Sequence, residues 1–246
     1  MKKLYAIIVA VILLAGSVDA QDHLFLQEQE INLKDGKSSA WVFPVVHDLD
    51  EALEDLQEYC KDRSDVKLKK GKENLYIAEE VSIPAIATKR GDLIGQGFIT
   101  ENYYGIALVF QMGYDISVNS VEWAVEMNNF RSYARAFMSY HYEQHYARRI
   151  DALEKEIKSL EKDTKQSVNK INSMNKKIGN LNEKIAKETD DVKKETFNSE
   201  IATLESDIQV LSDALPKLKS QIETLQGNVN KLQSESNTFQ TTIGSI

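Results

Sequence analysis

Two long heptad repeats occupy residues 150–246, and their phases do not match. In each repeat a core position recurs at alternating intervals of three and four residues, the pattern of a coiled-coil seam. The first repeat consists of Ile150, Leu153, Ile157, Leu160, Thr164, Ser167, Ile171, Met174, Ile178, Leu181 and Ile185. The second consists of Phe197, Ile201, Leu204, Ile208, Leu211, Leu215, Leu218, Ile222, Leu225, Val229, Leu232, Phe239 and Ile243. This part of the chain is therefore predicted to be α-helical coiled coil.

The phase difference between the repeats predicts a turn. Continued past Val192, the first repeat places a core position at Ser199, whereas the second places it at Ile201. Coiled coils absorb insertions of three or four residues, and a shift of two is neither. The polar run 188–196 lies at the break. We therefore expect an antiparallel helical hairpin with its turn near 188–196, although no Gly or Pro marks that turn.

The charges of the two arms favour the same hairpin. Residues 150–187 hold 9 Lys and 6 Asp+Glu, whereas residues 195–246 hold 3 Lys and 7 Asp+Glu. Opposite net charges attract the arms, although each exposed ion pair contributes only ~0–1 kcal/mol. The alternative is a single helical rod, ~150 Å long, that dimerises in parallel.

Alternating and helical patterns before the repeats predict an α+β domain at 21–117. Residues 21–40 are expected to form a short strand or a loose arm. A strand at 41–46 precedes a helix that Asp48 caps and that ends near Arg63. Further strands are predicted at 66–68, 74–83, 93–100 and 104–111, the last apolar on both faces and therefore central. The predicted fold is a small antiparallel sheet with helices on one face.

A connecting helix is predicted at 118–149, packed on this domain. It starts near Val118 or Asn119, and it narrows to strict heptads after Tyr146. Its broad apolar stripe is typical of a helix packed on a sheet. The stripe comprises Val121, Ala124, Val125, Met127, Phe130, Ala134, Phe137 and Met138.

The first twenty residues have the parts of a bacterial secretory signal peptide. Two lysines precede an apolar run at 4–15, and Val18 and Ala20 occupy the −3 and −1 positions of a cleavage before Gln21. The run is shorter than the ~20 residues that span a membrane, and an uncleaved anchor is the alternative. We expect a periplasmic or extracellular protein with no transmembrane segment after cleavage.

Cysteine and charge limit the partners of the mature chain. Cys60 is the one cysteine, so no internal disulfide can form. It lies on the apolar face of the first helix, where burial is expected; an intermolecular disulfide is the alternative. Residues 21–142 hold 12 Lys+Arg and 20 Asp+Glu. This acidic balance argues against a nucleic-acid partner, because phosphate binding needs a basic surface.

The candidate chemical motifs are incomplete. His141 and His145 have the spacing of a two-ligand zinc pair, but Tyr142 replaces the glutamate of the metalloprotease motif. The acidic residues of 48–65 lack the glycine and spacing of a calcium loop. Gly91, Gly95 and Gly97 lead into a strand, whereas a phosphate-binding loop leads into a helix. The tripeptide Arg90-Gly91-Asp92 is one that integrins read, but a turn at Gly91 is the simpler interpretation. No catalytic residue, metal or cofactor is therefore predicted.

In layout, the mature chain resembles uncharacterised exported proteins of Gram-negative bacteria in which a small β-rich domain leads into an Ile/Leu heptad hairpin. The resemblance implies no activity. We expect a non-enzymatic interaction or structural protein of the cell envelope. It would bind a protein partner through its acidic domain or self-associate through the coiled coil. The alternatives are a periplasmic holdase chaperone, with the helical arms as clamps, and a small-ligand binder with a cavity between the sheet and the long helix.

Overall fold

A computed structural model of the chain describes residues 26–33, 36–46, 48–113 and 116–245. The signal peptide predicted at 1–20 lies outside the described residues. In chain order the elements are β1 (Gln27–Leu33), β2 (Gly36–Val45), α1 (Leu49–Ser64), β3 (Lys69–Lys70), β4 (Leu75–Val81), β5 (Gly91–Ile99), β6 (Tyr104–Gln111), α2 (Ala124–Lys187) and α3 (Asp191–Ser245). The chain has the predicted fold class, a small antiparallel sheet followed by a long helical hairpin.

The chain divides into two compact units. The α+β unit contains the described residues up to Gln144 together with the end of α3, from Phe239 onward. The hairpin unit contains His145–Thr238. The heptad pattern assigns residues 239–246 to the coiled coil, whereas the structure places the last turns of α3 in the α+β unit. The burial of Phe239 and Ile243 there accounts for the difference.

The sheet has the strand order β1-β2-β6-β5-β4-β3, and each neighbouring pair is antiparallel. β6 pairs with β2 on one side and β5 on the other, and all its residues after Tyr104 are buried. This confirms the prediction of a central strand from a segment that is apolar on both faces. Residues 27–33 form an edge strand against β2. Of the two alternatives expected for residues 21–40, the short strand is therefore the correct one.

One face of the sheet packs against α1 and α2. Phe43 of β2 meets Phe137 of α2 edge to face, with ring centroids 5.8 Å apart. Phe110 of β6 meets Phe130 with centroids 6.2 Å apart. All four rings are fully buried. Aromatic side chains therefore fill the space between the sheet and α2.

Two glycines of β5 let α1 approach the sheet closely. A Cβ atom at Gly95 would lie 2.4 Å from Cδ2 of Leu56, and one at Gly97 would lie 2.9 Å from Cδ1 of Leu49. Both leucines are buried on the inner face of α1. These glycines have a packing role, in agreement with the rejection of a phosphate-binding loop.

The ends of α1 follow from local chemistry. The Asp48 side chain accepts hydrogen bonds from the backbone N–H groups of Asp50, at 3.0 Å, and Glu51, at 3.2 Å. This satisfies two N–H groups that have no partner within the helix. The helix ends at Ser64, and Asp65 follows in the left-handed conformation with φ 53°. The predicted cap at Asp48 is confirmed.

Two predicted strands differ in detail. The strand expected at 66–68 is absent there, and the two-residue β3 follows it at Lys69–Lys70. Val66 and Leu68 are nonetheless buried. In β4 a bulge between Ala78 and Val81 shifts the register against β5. The simple alternation predicted for 74–83 therefore does not continue past Ala78.

The long helix begins later than its apolar stripe predicts. Asn119 Oδ1 accepts hydrogen bonds from the N–H groups of Val121 and Glu122, which makes a turn, and α2 begins at Ala124. Val121 is 91% exposed and Val125 71% exposed, so assigning them to the packed stripe was wrong. The buried part of the stripe consists of Met127, Phe130, Ala134, Phe137 and Met138.

Candidate functional site

Core residues of the two predicted heptad repeats pack against each other within the hairpin unit. Ile157, Leu225 and Val229 form a buried cluster. Partly buried residues pack against it, namely Ile150, Leu153, Leu160 and Ile222. Towards the turn, Leu181 is buried and the Lys184 ammonium lies over the Phe197 ring. The remaining predicted seam residues are half-buried, namely Ile171, Met174, Ile178, Ile185, Ile201, Leu204, Ile208, Leu211, Leu215 and Leu218, while Leu232 is buried.

The turn is shorter than the polar run predicts. The Glu188 side chain accepts the N–H groups of Thr189, at 3.0 Å, and Asp190, at 3.1 Å. Asp190 Oδ1 then accepts the N–H of Val192 at 2.9 Å and caps α3. The turn is therefore confined to 188–190, and the residues after it are helical because Asp190 caps them. The carboxylates of Glu188 and Asp190 hold this turn by accepting backbone hydrogen bonds, and the turn contains no Gly or Pro.

An ion pair between described residues joins the basic arm to the acidic arm. Lys177 Nζ lies 2.5 Å from Glu200 Oε1, and both side chains are substantially exposed. Such a pair contributes little to stability but disfavours registers that bring like charges together. It agrees with the opposite net charges of the two arms.

A buried Asp–His pair joins α1 to α2. His141 Nδ1 lies 2.7 Å from Asp55 Oδ2, and the side chains are 0% and 2% exposed. His141 Nε2 is buried and has no hydrogen-bond partner among the described residues. An Asp–His pair is a common acid–base device, but a substrate must reach the imidazole. The Asp55–His141 pair is buried, and its hydrogen bond joins α2 to α1.

His141 and His145, which have the spacing of a two-ligand zinc pair, make other contacts in the structure. His141 engages Asp55, and the ring of His145 packs against Tyr146 with centroids 5.8 Å apart. Among the described residues, no three His, Cys, Asp or Glu side chains are grouped to hold a metal ion. Most of the acidic run on α1 is exposed, with Asp55 as the buried exception.

Cys60 lies in a buried cluster with two tyrosines. The Tyr133 hydroxyl donates to Cys60 Sγ at 3.5 Å, and it lies 3.1 Å from Ser64 Oγ. The Tyr59 ring meets the Tyr133 ring edge to face at 5.2 Å. Burial raises the pKa of Cys60 to about 11 and that of Tyr59 to about 12. The thiol is therefore protonated at neutral pH and poorly nucleophilic.

The end of α3 docks on α2 within the α+β unit. The Phe239 ring stacks on the Tyr142 ring with centroids 3.6 Å apart and planes inclined by 17°. Gln240 Nε2 donates to the Ser139 carbonyl oxygen at 3.1 Å, and the Ser139 hydroxyl donates to Gln240 Oε1. Ile243 is 3% exposed. We call residues 239–245 the C-terminal anchor.

The heptad pattern assigns Phe239 and Ile243 to the coiled coil and does not indicate the contact between Ser139 and Gln240. One feature of the sequence marks the anchor as separate. Six consecutive polar residues, at 233–238, lie between Leu232 and Phe239. The core position Ser236 falls inside that stretch, so the apolar seam is interrupted before the anchor begins.

Exposed apolar side chains are found in both units. In the α+β unit they include Val121, Val125 and Ile99, the last 66% exposed. In the hairpin unit, Val192 and Val210 are 73% and 67% exposed. Isolated apolar side chains are normal on protein surfaces. They offer matched positions for surface probes in the two units.

The hairpin unit also has a shallow groove of about 370 Å³. Its floor includes Ile157 and Val229, and charged or amide side chains make up the remainder, namely Glu154, Lys158, Glu161, Gln226 and Asn230. It lies between the arms, away from the sheet–helix space where a ligand cavity was considered.

No protein-family model, curated protein or solved structure matches the chain. No helix in the described part of the chain is long and apolar enough to cross a membrane.

Proposed function

We propose that this chain is an exported, non-enzymatic interaction protein of the bacterial cell envelope, in which the acidic α+β unit binds a protein partner. The N-terminal sequence supports export, through the apolar run at 4–15 and the small residues before Gln21. The net charge of residues 21–142 favours a partner with a basic surface over a nucleic acid.

The observation that carries this proposal is that the two arms bury each other's seam. Ile157 packs with Leu225 and Val229 inside one chain. Coiled-coil proteins usually recruit partners through such a seam. Here the seam is already occupied, so a partner is more easily accommodated on the α+β unit.

The buried polar groups support a non-catalytic role. The Asp55–His141 pair is sealed from solvent, and the Cys60 thiol is buried with a raised pKa. Catalytic acids, bases and nucleophiles must touch a substrate. These groups instead join α1 to α2.

The two alternatives have less support. A holdase clamp needs apolar surface on its arms, and the arms use theirs against each other. A small-ligand binder needs a cavity between the sheet and α2, where Phe43, Phe110, Phe130 and Phe137 are packed.

Site-specific photo-crosslinking in a Gram-negative host tests the proposal. A photoreactive residue replaces Val121 or Ile99 in the α+β unit, and Val210 in the hairpin unit serves as the matched exposed control. We expect one recurrent protein adduct from the α+β positions and none from Val210. Adducts from Val210 alone would contradict the assignment. Mass spectrometry of the same chain should find its N-terminus at Gln21, and an uncleaved cytoplasmic chain would contradict export.

A further inference from the structure

The outer face of the sheet, opposite α1 and α2, carries a second apolar cluster. Because Phe43 and Phe110 face α2, the residues that alternate with them point to the other side of the sheet. The buried members of this cluster are Ala40, Val42, Ile94, Ala107 and Val109, and the partly buried residues packed against them are Ile31, Leu33, Leu75, Ile77 and Phe98. An antiparallel sheet that leaves one face in water normally has polar side chains there. This face therefore has the composition and the burial of a covered one.

Polar groups at the end of the same face are also shielded from water. Gln111 Nε2 donates to Ser38 Oγ at 3.2 Å, and both side chains are buried. Gln111 lies two residues after Val109 and Ser38 two residues before Ala40, so both point to the outer face. The buried area therefore extends to the end of β6 and across to β2.

The described helices of the α+β unit contact the opposite face of the sheet or one another. α1 packs on the glycines of β5, α2 packs on Phe43 and Phe110, and the end of α3 stacks on Tyr142. Outside the described residues, the stretches 34–35, 47 and 114–115 are too short to cover several strands. Residues 1–25 are long enough, and they lead directly into Leu26 and the edge strand β1.

We propose that the apolar run at 4–15 covers the outer face of the sheet in the uncleaved chain. As a helix, a run of this length would extend ~18 Å, and the five strands from β1 to β4 span ~19 Å. Residues 16–25 would connect the run to Leu26, and a stretch of this length reaches at most ~36 Å. The run can therefore lie across the face while the chain still enters β1 at the edge of the sheet.

The chemistry of the run suits this face. Residues 4–15 contain no charged side chain, so docking them on the sheet would desolvate no charge. The small side chains of Ala40 and Ala107 lie in the middle of the face, on β2 and β6. Larger side chains lie to either side of them, with Ile31 on β1 and Ile77 on β4. The face is therefore lowest in its centre, where an apolar helix could sit.

This inference goes beyond the proposed function and does not rest on it. It gives the run a structural role before cleavage, and cleavage before Gln21 would remove the cover and open the outer face. The two proposals can fail separately. A chain that is cleaved at Gln21 and crosslinks to a partner, but whose uncleaved form keeps residues 4–15 away from the sheet, would retain the proposed function and lose the cover.

Disulfide trapping in the uncleaved chain tests the proposal. Cell-free synthesis without membranes provides the full chain, and Cys60→Ala removes its natural thiol. Gln96→Cys places a thiol on the outer face, between Leu75 and Ala107 of the neighbouring strands. The second thiol samples one turn of the run, as Ile7→Cys, Ile8→Cys, Val9→Cys or Ala10→Cys. In the control, Val125→Cys on the exposed surface of α2 replaces Gln96→Cys. We expect at least one run position to form its intramolecular disulfide at least tenfold faster with Gln96→Cys than with Val125→Cys.

Thiol labelling of the same uncleaved chain gives a second measurement. Ile8→Asp/Ile12→Asp places two charges in the run, and the control Val192→Asp/Val210→Asp places them at exposed positions of the hairpin unit. We expect a polar maleimide to label Gln96→Cys at least tenfold faster in the run variant than in the control.

Two results would overturn the proposal. One is that none of the four run positions reacts faster with Gln96→Cys than with Val125→Cys. The other is an equal labelling rate in the run variant and its control, both folded by circular dichroism. If the run variant is unfolded, the disulfide rates decide.

Discussion

Phe239 of α3 stacks on Tyr142 of α2 with ring centroids 3.6 Å apart and planes inclined by 17°. The two rings are 5% and 7% exposed. The contact brings the end of α3 into the α+β unit, which α2 leaves after Gln144. The α+β unit is therefore built from two segments that are distant in the sequence.

Shortening the Phe239 side chain should separate stacking from burial. Phe239→Leu keeps most of the apolar burial and should lower the free energy of unfolding by about 1 kcal/mol through lost stacking. Phe239→Ala also loses the burial and should cost about 3 kcal/mol. Urea unfolding followed by circular dichroism measures both, with Val210→Ala as an exposed control. A Phe239→Leu variant as stable as wild type would argue against a contribution from stacking.

Breaking the buried Asp55–His141 pair should be costly. Asp55→Ala leaves the His141 ring buried without its acceptor, and we expect a loss of about 3 kcal/mol. Glu54→Ala, at the adjacent exposed position of α1, should change stability by less than about 0.5 kcal/mol. Thermal melts of the two variants make the comparison. Similar melting temperatures would show that the pair contributes little.

Two glycines should respond to alanine in opposite directions. A Cβ atom at Gly91 would lie 2.3 Å from the Gln111 backbone oxygen, so Gly91→Ala should destabilise the chain by about 2 kcal/mol. Gly179 lies inside α2 with nothing within 4 Å of a Cβ, so Gly179→Ala should stabilise by about 0.5–1 kcal/mol. Chemical denaturation gives both values. A stabilising Gly91→Ala would contradict the close strand contact.

The heptad phase difference should control whether the chain folds back. Deleting Thr189 and Asp190 removes the two-residue shift and joins both repeats in one phase. We expect the arms to form a continuous helix that pairs with a second chain, because the seam is then uninterrupted. Light scattering after gel filtration should give twice the wild-type mass. The control Thr189→Ser/Asp190→Asn keeps the chain length and the side-chain acceptor that caps α3, and it should keep the wild-type mass. A deletion variant with unchanged mass would show that the turn does not depend on phase.

Alkaline pH should destabilise the chain through its buried thiol. Burial raises the pKa of Cys60 from 9.0 to about 11, so the unfolded chain releases this proton before the folded chain does. The free energy of unfolding is therefore unaffected by this thiol below pH 9, and it falls by about 1.4 kcal/mol per pH unit from pH 9 to pH 11. Melting temperatures between pH 8 and 11 measure the slope. Cys60→Ala should have a shallower slope, and identical slopes would exclude the thiol as the cause.

Patterns repeated along the sequence were sufficient to predict several elements. The spacing of Ile157, Leu225 and Val229 depends on helical periodicity alone, and the shift between the repeats correctly implied a hairpin. The Asp48 cap and the central strand β6 were also predictable, because their determinants lie within a few residues of each other. Such local patterns need no knowledge of distant contacts.

Contacts between distant segments could not be predicted in this way. The apolar character of Val121 and Val125 suggested burial, but the Asn119 turn and the position of the sheet leave them exposed. The pairing of His141 with Asp55 depends on how α1 and α2 pack.

Periodicity and charge along the chain were therefore sufficient to predict the fold class, the two helical arms and the place where the chain reverses. Packing between distant segments determines which polar groups are buried together, and it determines that α3 leaves the coiled coil before Phe239. Phe239 and Ile243 occupy core positions of the heptad repeat, so periodicity alone does not distinguish a place in the coiled coil from a place in the α+β unit. Only the packing surface around Tyr142 assigns them to the α+β unit.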